Sequence, residues 1–541
     1  MNRISQILIV LFALTTTITI AQDKKAKKPN KVAYKMKMSE ARHLYLNGNI
    51  RGGLLIYREM LKDFTNDATV NYRIGECYLE LKDWLLAVEY FQNAKNINPK
   101  VAPELNYKLG NAFHRNNQLD KAQEAFAEYQ KGLKKKDPLY DVDKMQEQVS
   151  YAKKMMLTPV KVDIINLGKN INSRGGDYAP SITADGQTMI FTSRRSDTKG
   201  GGVDKAGDYK YFEDIYISKW DSVMGDWTRA IPVEGKLNTE RHDASLSISP
   251  DGNQIYIYRN DGSVYIGDIF VSKRRSSGNW GEPKELDKQI NSTYFESSAS
   301  LSADGNKLYF VSEREGKKYG AIGKGDIYVV EKISKSTWGE PVNLGSVINT
   351  PEDEISVFIH PDGQTLFFSS KGHLSMGGYD IFMSKMQVDG TWSKPENLGY
   401  PINTIDDDVH FVLSTDGKIA YYSTVREDGL GERDIYKIDL KDYDLLKGTQ
   451  KNLSIVKGNI EAKLDGEKVI ADVEFKDASG NSIAKVNSEE TGDYFMTLPG
   501  NLKYSVTISA VGYKTQTINF DLPIGEKTTH ILVKNVVLEQ E

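Results

Sequence analysis

The sequence predicts a multi-domain protein that combines an α-solenoid, an all-β propeller of five blades and a small β-sandwich. Two helical repeats stand 35 residues apart at Gly75 and Gly110, and an Asp-Gly pair recurs five times further along the chain. Apolar and polar residues then alternate towards the C-terminus. With 541 residues the chain exceeds one hydrophobic core, and several domains are expected. Hydrophobic (39%) and charged (27%) contents are ordinary for a soluble protein, and the net charge of −4 gives no overall attraction to nucleic acid.

The first 21 residues have the pattern of a cleaved signal peptide. Arg3 supplies a positive charge, residues 7–20 form a short apolar run, and Ala21 offers a small residue before a cut at Gln22. The run is too short to cross a bilayer comfortably, and no later run is long enough, so no transmembrane span is predicted. We expect an exported protein of the periplasm, soluble or peripheral to the outer membrane.

A basic linker, residues 22–37, follows the signal peptide. Its lysines are Lys24, Lys25, Lys27, Lys28, Lys31, Lys35 and Lys37. Such a run is typical of a solvated leader. The alternative is a basic arm that touches anionic lipid or a partner.

Residues 38–156 carry a helical repeat. Small and large apolar residues follow at the spacing of two antiparallel helices: Ile74, Gly75, Tyr78, Ala87, Phe91, Ala94 and Pro99. A second copy surrounds Gly110, and a weaker first copy places Ala41 at the glycine position. These residues resemble the tetratricopeptide repeat (TPR). The resemblance implies a short solenoid of three copies and a terminal helix, with a groove that binds peptides or other proteins.

Residues 157–446 contain five copies of a stricter repeat. Each copy has an Asp-Gly pair, a strong hairpin signal between apolar strands. The pairs begin at Asp185, Asp251, Asp304, Asp362 and Asp416. An Asp-Ile-aromatic strand follows each pair, at Asp214, Asp268, Asp326, Asp380 and Asp434. Each copy opens with an asparagine, which is Asn172, Asn238, Asn291, Asn349 or Asn403. Each copy supplies four short strands, which predicts five blades of a propeller.

The ends of this region predict that the propeller closes as a ring. A tryptophan recurs in four copies, at Trp227, Trp280, Trp338 and Trp392, and the fifth copy lacks this segment. Residues 159–168 match the strand that follows the tryptophan, such as residues 341–345 after Trp338. We therefore expect residues 159–168 to pair as the outer strand of the fifth blade, which leaves no open seam. The recurrent Asp-Gly turn, Ser369-Ser370 and residues 377–382 resemble TolB-like propeller repeats, which are related to WD40.

An acidic residue stands eight positions before each Asp-Gly pair, and these five acids are the candidate site residues. They are Asp177, Asp243, Glu296, Glu354 and Asp408. In one interpretation they ring the propeller channel and bind a cation or a basic peptide. In the other, each carboxylate accepts hydrogen bonds from the neighbouring blade and fixes the blade angle. Recurrence in every copy favours the structural interpretation, because binding sites usually break symmetry.

Residues 447–541 predict a β-sandwich of about seven short strands, with turn signals at Gly466, Gly480, Gly492 and Gly500. Residues 456–460, 473–475, 491–495 and 504–513 resemble a carboxypeptidase-regulatory, transthyretin-like domain. In that family the domain is accessory and non-catalytic.

The sequence carries no motif of a serine hydrolase, a zinc enzyme or a P-loop. A lone cysteine, Cys77, excludes an intramolecular disulfide and a thiolate metal cluster. His242, His360 and His410 lie near the acids and offer a metal site as a less favoured alternative. We expect no catalytic residue, no cofactor and no metal. A glycosidase needs no more than two carboxylates placed in space, so a hydrolase stays open as an alternative.

The order of these segments resembles the PorE-like envelope proteins of Bacteroidota, which belong to the type IX secretion system. An OmpA-like domain ends that family's chains, and we find none before Glu541, so peptidoglycan anchoring is not carried over. The resemblance implies a non-enzymatic periplasmic adaptor of a secretion or gliding machine. Its partners are envelope proteins, including outer-membrane secretion components, bound by the TPR groove and a propeller face. The alternative function is a ligand-binding propeller that senses a cell-wall fragment, glycan or peptide.

Overall fold

The computed structural model describes residues 31–133, 135–204, 208–259, 267–334, 337–448, 452–523 and 529–541. The predicted signal peptide and the first part of the predicted basic linker lie outside these residues. The chain divides into two compact units, one up to Ala102 and one from Pro103 to Glu541. No helix in the described part is long and apolar enough to cross a membrane.

The first unit is helical. Its helices are α1 (Lys31–Leu46), α2 (Ile50–Asp63), α3 (Ala68–Glu80) and α4 (Trp84–Ile97). Residues 31–37 of the predicted linker therefore belong to α1, and lysine is a good helix former. Gly75 on α3 permits close packing, because an added Cβ would lie 2.6 Å from the Phe91 ring on α4. This confirms the role of small residues that the repeat spacing predicts.

Three more helices begin the second unit. They are α5 (Leu105–Arg115), α6 (Leu119–Gly132) and α7 (Val142–Leu157). Gly110 on α5 faces Phe126 on α6 as Gly75 faces Phe91, with an added Cβ 2.7 Å from the ring. Helix α7 matches the predicted terminal helix, and the Asp141 side chain caps it by accepting a hydrogen bond from the Lys144 amide.

The next 280 or so residues form five antiparallel sheets, here called sheets I to V. A first strand, β1 (Asp163–Asn166), precedes them. Sheet I has β2 (Asp177–Ile182), β3 (Thr188–Ser193), β4 (Asp214–Asp221), β5 (Asp226–Trp227) and β6 (Ile231–Pro232). Sheet II has β7 (Asp243–Ile248), β8 (Gln254–Arg259), β9 (Asp268–Lys273) and β10 (Lys284–Glu285). Sheet III has β11 (Glu296–Leu301), β12 (Lys307–Ser312), β13 (Asp326–Ser334), β14 (Thr337–Trp338) and β15 (Val342–Asn343).

Sheets IV and V complete the set. Sheet IV has β16 (Glu354–Ile359), β17 (Thr365–Ser370), β18 (Asp380–Lys385) and β19 (Glu396–Asn397). Sheet V has β20 (Val409–Leu413), β21 (Ile419–Thr424) and β22 (Asp434–Asp439), and β1 pairs with β22 as its outer strand. Every predicted Asp-Gly turn joins the first two strands of its sheet. The predicted pairing of residues 159–168 with the fifth repeat is confirmed for β1.

The five sheets follow one another in a closed order. The first strands of consecutive sheets lie side by side, and β20 lies beside β2. A separate hydrophobic cluster fills each of the five junctions, including the junction between sheets V and I. A cavity of about 20 Å³ at the centre is lined by residues of all five first strands. Short sheets that are apolar on both faces gain this burial by packing on two neighbours.

One asparagine side chain crosses each junction. Asn403, which precedes sheet V, accepts a hydrogen bond from the Ile381 amide of sheet IV at 2.8 Å and donates one to its carbonyl at 2.8 Å. Asn238, Asn291 and Asn349 bond to the preceding sheet in the same way. Asn172 accepts a hydrogen bond from the Ile435 amide of sheet V and donates one to the Ile435 carbonyl, both at 2.9 Å. The junction between sheets V and I therefore has the same contacts as the other four.

The C-terminal residues form two four-stranded sheets around one core. The strands are β23 (Leu453–Ala462), β24 (Asp472–Asp477), β25 (Ser482–Asn487), β26 (Asp493–Pro499), β27 (Lys503–Ser509), β28 (Gln516–Asp521), β29 (His530–Val533) and β30 (Val536–Leu538). β23 pairs with β26 in antiparallel fashion and with β29 and β30 in parallel fashion. Lys457 of this sheet pair forms an ion pair of 2.7 Å with Asp185 in the first Asp-Gly turn.

Helices α5 and α7 are fixed to sheet IV by buried polar groups. The His114 ring, which is fully buried, lies with Nε2 2.8 Å from the Met376 carbonyl oxygen. The Gln148 side chain donates to Ser375 Oγ at 2.7 Å and to the Gly377 carbonyl at 3.1 Å. Burial lowers the pKa of His114 to about 4, so the ring is neutral at neutral pH. These contacts hold the helices in one orientation on the sheets.

The asparagine contacts predict a specific loss of stability. Asn403→Ala would leave the Ile381 amide and carbonyl buried without partners, so we expect the β-rich region to lose about 2–4 kcal/mol of unfolding free energy. Urea unfolding followed by tryptophan fluorescence measures this loss. Asn279→Ala, at an exposed turn, is the matched control and should change stability little. Equal effects of the two variants would contradict the role of the asparagine.

Candidate functional site

The five predicted acids are all buried at the start of the first strands. Each carboxylate is bonded to the residue four positions earlier in its own chain segment. Those residues are Ser173, Thr239, Ser292, Thr350 and Thr404, and each contributes its amide and its hydroxyl. The acids therefore close the turn that enters each sheet, and their partners lie in the same repeat.

Each acid also bonds to the end of the second strand. Ser370 Oγ donates to Glu354 at 2.7 Å and Thr424 Oγ1 donates to Asp408 at 2.7 Å. Arg195 and Arg259 take this place beside Asp177 and Asp243, each at 2.9 Å. The residues that line the central cavity belong to other positions of the first strands. This geometry supports a structural role for the acids, but it corrects the expected partners: the hydrogen bonds to each carboxylate come from its own repeat and not from the neighbouring one. Ligand binding by the acid ring stays a prediction.

Burial shifts the protonation of Glu354 and Asp408. It raises the pKa of Glu354 to about 7 and of Asp408 to about 7, despite the hydroxyl donors that favour the charged form. A carboxyl whose folded-state pKa is raised keeps a proton that the unfolded chain has already released. Its contribution to stability is complete below the unfolded pKa and is lost as the pH rises through the folded pKa.

We expect Glu354→Gln combined with Asp408→Asn to flatten the fall in stability between about pH 4.5 and 7. Each site contributes up to about 1.4 kcal/mol per pH unit in that window. Urea unfolding at a series of pH values measures the slope. The control is Glu315→Gln combined with Glu340→Gln, at two exposed positions. A slope that is the same in all three proteins would show that the buried acids ionise normally.

The structure keeps the three histidines apart. His242 lies between Glu213 (Nδ1 to Oε2, 3.0 Å) and Asp204 (Nε2 to Oδ2, 3.3 Å). His360 is buried in an Asp-Gly turn, with Nδ1 3.3 Å from Asp362 Oδ2. His410 bonds to Ser423 inside sheet V. Across the described ranges, no group of three or more His, Cys, Asp or Glu residues is placed to hold a metal ion.

Non-repeating residues gather at the end of the sheets away from the Asp-Gly turns. They are seen best at the position before each Asp-Ile-aromatic strand, which holds Glu213, Gly267, Gly325, Tyr379 and Arg433. We call Tyr178, Glu213, His242, Tyr379 and Arg433 the rim cluster. Glu213, Tyr379 and Arg433 occupy the equivalent position of three repeats, where the five-fold pattern is broken, and Tyr178 and His242 lie next to the buried acids Asp177 and Asp243.

The rim cluster consists of two connected groups: Glu213 contacts both Tyr178 and His242, and Asp407 contacts both Tyr379 and Arg433. The Tyr178 hydroxyl donates to Glu213, and the Tyr178 ring stacks on His410 with centroids 6.2 Å apart. Burial together with Glu213 raises the pKa of Tyr178 well above its usual value, and the Glu213 contact raises the pKa of His242. Both ring nitrogens of His242 face carboxylates, which leaves neither available as a general base. The cluster is suited to holding a ligand by aromatic and charged contacts.

A second cluster lies in the first unit, and we call it the arginine cluster. Glu76 on α3 has a side chain 4% exposed and lies between two guanidinium groups, at 2.5 Å from Arg73 and 3.5 Å from Arg42. The Arg42 guanidinium lies 4.8 Å from the centre of the Tyr45 ring. The Glu80 carboxylate accepts from the Tyr45 hydroxyl at 3.3 Å.

The arginine cluster offers exposed hydrogen-bond donors. The Arg42 and Arg73 side chains are 35% and 28% exposed, and each uses one terminal nitrogen on Glu76. A guanidinium presents five N–H donors, so both arginines retain donors for a carbonyl or carboxylate of a partner. Glu76 and the tyrosines fix the side chains in place, which lowers the entropy cost of binding.

Sequence reasoning missed both clusters, although each leaves a signal. Arg42 and Glu76 directly follow Ala41 and Gly75, the aligned positions of two helical repeats, so they face each other in consecutive repeats. The rim cluster leaves its signal at one repeated position, which holds four different residue types in the five copies. A repeat pattern reveals the residues that the copies share, whereas the residues of these two clusters differ between copies.

Comparison with known proteins identifies one element. Residues 70–100 match the family model described as "Tetratricopeptide repeat". This repeat, on α3 and α4, indicates a scaffold for protein–protein interaction. No curated protein matches the chain.

The solved structures similar to this chain share little sequence with it. A Yersinia enterocolitica type III secretion chaperone, SycD, in complex with a YopD peptide is 16% identical, with a TM-score of 0.21 over 23% of this chain and 97% of that one. The N-terminal domain of stress-induced protein-1 from C. elegans is 16% identical, with a TM-score of 0.20 over 23% and 99%. A luciferin-regenerating enzyme is 14% identical, with a TM-score of 0.30 over 52% and 95%. Scores of this size support no argument about function.

Proposed function

We propose that this protein is a non-enzymatic scaffold that binds a peptide segment of a partner protein through the arginine cluster. The observation that carries the proposal is the pair of partly exposed arginines held by the buried Glu76 in the matched TPR repeat. Two fixed guanidinium groups can bind a carboxylate or successive carbonyls of an extended peptide. Helical repeats use such surfaces to bind other proteins.

We further propose that sheets I to V form a five-bladed, TolB-like propeller and that the C-terminal sheets are a carboxypeptidase-regulatory-like sandwich. The closed order of the sheets and their five junction clusters support the propeller. In this proposal the predicted boundaries at residues 156 and 446 separate the helical, propeller and sandwich segments. The sandwich is an accessory that covers Asp-Gly turns.

The cellular setting is also a proposal. A signal peptide at residues 1–21 is proposed from the charge of Arg3, the short apolar run and Ala21, and export fits a periplasmic location. A role as adaptor among envelope proteins is what the resemblance to PorE-like proteins implies. Outer-membrane components of a type IX secretion or gliding machine are the proposed partners. The order of the segments along the chain supports this assignment.

Loss of the two arginines should release the partner. Affinity purification of the tagged protein from cross-linked cells, read by mass spectrometry, should recover a defined set of envelope proteins. We expect Arg42→Ala combined with Arg73→Ala to reduce the recovery of at least one of them about tenfold. Arg51→Ala combined with Arg58→Ala, two exposed arginines on α2, is the matched control. Equal recovery with both double variants would overturn the assignment of the arginine cluster.

The rim cluster favours a second candidate function, the binding of a cell-wall fragment, glycan or peptide. Its half-buried aromatic rings and mixed charges break the symmetry of the repeats, as binding sites do. We expect the purified protein to bind a muropeptide, a glycan or a peptide in a screen, and Tyr379→Ala combined with Arg433→Ala to weaken binding about tenfold. Arg229→Ala, at an exposed position, is the control. Unchanged binding by the rim variant would rule out this site.

A further inference from the structure

A large groove lies between the Asp-Gly ends of sheets I and II and the C-terminal sheets. Its volume is about 1030 Å³. Residues from β4, from the turn after β9, and from β23 and β29 line it. The arginine cluster and the rim cluster supply none of the lining residues.

Apolar side chains in the lining of the groove are accessible. Ile231 of β6 and Val533 of β29 are 53% and 56% exposed. Ile217 and Trp280 also line the groove, with partly buried side chains. Apolar side chains that stay exposed beside one another in a concave surface are typical of a binding site.

Three cations lie along the same groove. Burial lowers the pKa of Lys219, and the charge of the nearby Arg274 guanidinium lowers it further. Lys219 donates to Thr188 Oγ1 at 2.7 Å, and Arg274 Nε donates to the Gly278 carbonyl at 3.3 Å. Within the described residues, neither of them nor Arg275 forms an ion pair. Neighbouring like charges repel, and an added carboxylate would relieve that repulsion.

The acids of the groove are largely engaged elsewhere. Asp185 forms the ion pair with Lys457, and Asp251 accepts hydrogen bonds within its own turn. Asp493 accepts from Asn459 at 2.9 Å. Glu234 is the fourth acid and is exposed at the edge of the groove. The positive charge of Lys219, Arg274 and Arg275 is therefore compensated least.

One strand that contributes to the groove has an edge left unpaired by the described strands. β29 pairs with β23 on one side, and the described residues supply no strand on its other side. Val533 at the end of β29 lines the groove. An open strand edge can accept an extended chain by main-chain hydrogen bonds.

We propose that this groove binds an extended polypeptide segment of a partner protein, with acidic side chains set on Lys219 and Arg274 and apolar side chains on Ile231, Trp280 and Val533. The volume lies at the upper limit for small-molecule sites, which span about 300–1,000 Å³. Exposed apolar side chains in the same groove as Lys219 and Arg274 favour a polypeptide that carries both acidic and apolar side chains over an anionic glycan. The proposal does not rest on the arginine cluster, and the two surfaces can be tested separately.

Fluorescence anisotropy with the full chain tests the proposal. The probe is a fluorescein-labelled peptide of six Glu-Leu pairs, compared with a peptide of six Lys-Leu pairs. We expect saturable binding of the Glu-Leu peptide and at least about tenfold weaker binding by Lys219→Glu combined with Arg274→Glu. Lys219→Gln combined with Arg274→Gln should weaken binding less and keeps the measurement interpretable if the charge reversal disturbs folding. Lys317→Glu combined with Lys318→Glu, at exposed positions of another loop, should bind like the parent protein.

Three results would overturn the proposal. The first is the absence of saturable Glu-Leu binding, and the second is equal binding of the Lys-Leu peptide. The third is a Glu-Leu affinity that neither groove variant changes. Binding of polygalacturonate is measured in parallel. If the parent protein binds polygalacturonate but not the Glu-Leu peptide, and the groove variants lose that binding, the groove would be assigned to an acidic glycan instead. Because the arginine cluster can also bind a carboxylate, the groove variants are compared in a protein that carries Arg42→Ala and Arg73→Ala. Saturable Glu-Leu binding should persist in that background and should still be lost with the groove variants, which separates this site from the proposed scaffold surface.

Discussion

The β-rich region depends on a hydrogen-bond pair that an asparagine makes across each junction between sheets. Apolar burial alone does not fix the orientation of one sheet on the next, because the hydrophobic effect has no direction. The asparagine amide adds direction, since it bonds at once to an amide and a carbonyl of the same isoleucine in the preceding sheet. Both groups are buried, so a sheet that slips or rotates loses two hydrogen bonds.

The buried acids extend this constraint to the turn that enters each sheet. In sheet IV, Glu354 holds Thr350 at the start of the turn and Ser370 at the end of the second strand. Asn349 stands next to Thr350 and bonds to Ile327 in sheet III. One turn therefore fixes both the internal geometry of a sheet and its orientation on the previous sheet. A frame fixed in this way leaves the outer residues of each repeat free to differ.

The sequence predicted most of the frame and little of the chemistry at its edges. The Asp-Gly turns, the strand that begins the repeat region and the pairing of Gly75 with Phe91 depend on local patterns, and the structure has them where the sequence indicates. The asparagine was visible as a recurrent residue, but its partner is separated from it by 22 or 23 residues, or by 263 for Asn172, so spacing could not reveal the contact. The three histidines looked alike in sequence because each lies in a segment that leads into an Asp-Gly turn. They differ in the structure because neighbouring sheets contribute different partners.

Closure by Asn172 and β1 makes the two ends of the repeat region depend on each other. Ile435 and Asn172 come together from the last and first repeats, and β1 completes sheet V from the N-terminal side. No sheet then has a first or last position in the closed order, and each has two packed neighbours.

Because every junction is satisfied internally, ligand binding needs no opening of the frame. The places left for a ligand or partner are those where the repeats differ or where another segment lies against the ring. The rim cluster is the first kind, and the groove beside the C-terminal sheets is the second. The regularity of the frame is thus what makes the irregular residues informative about function.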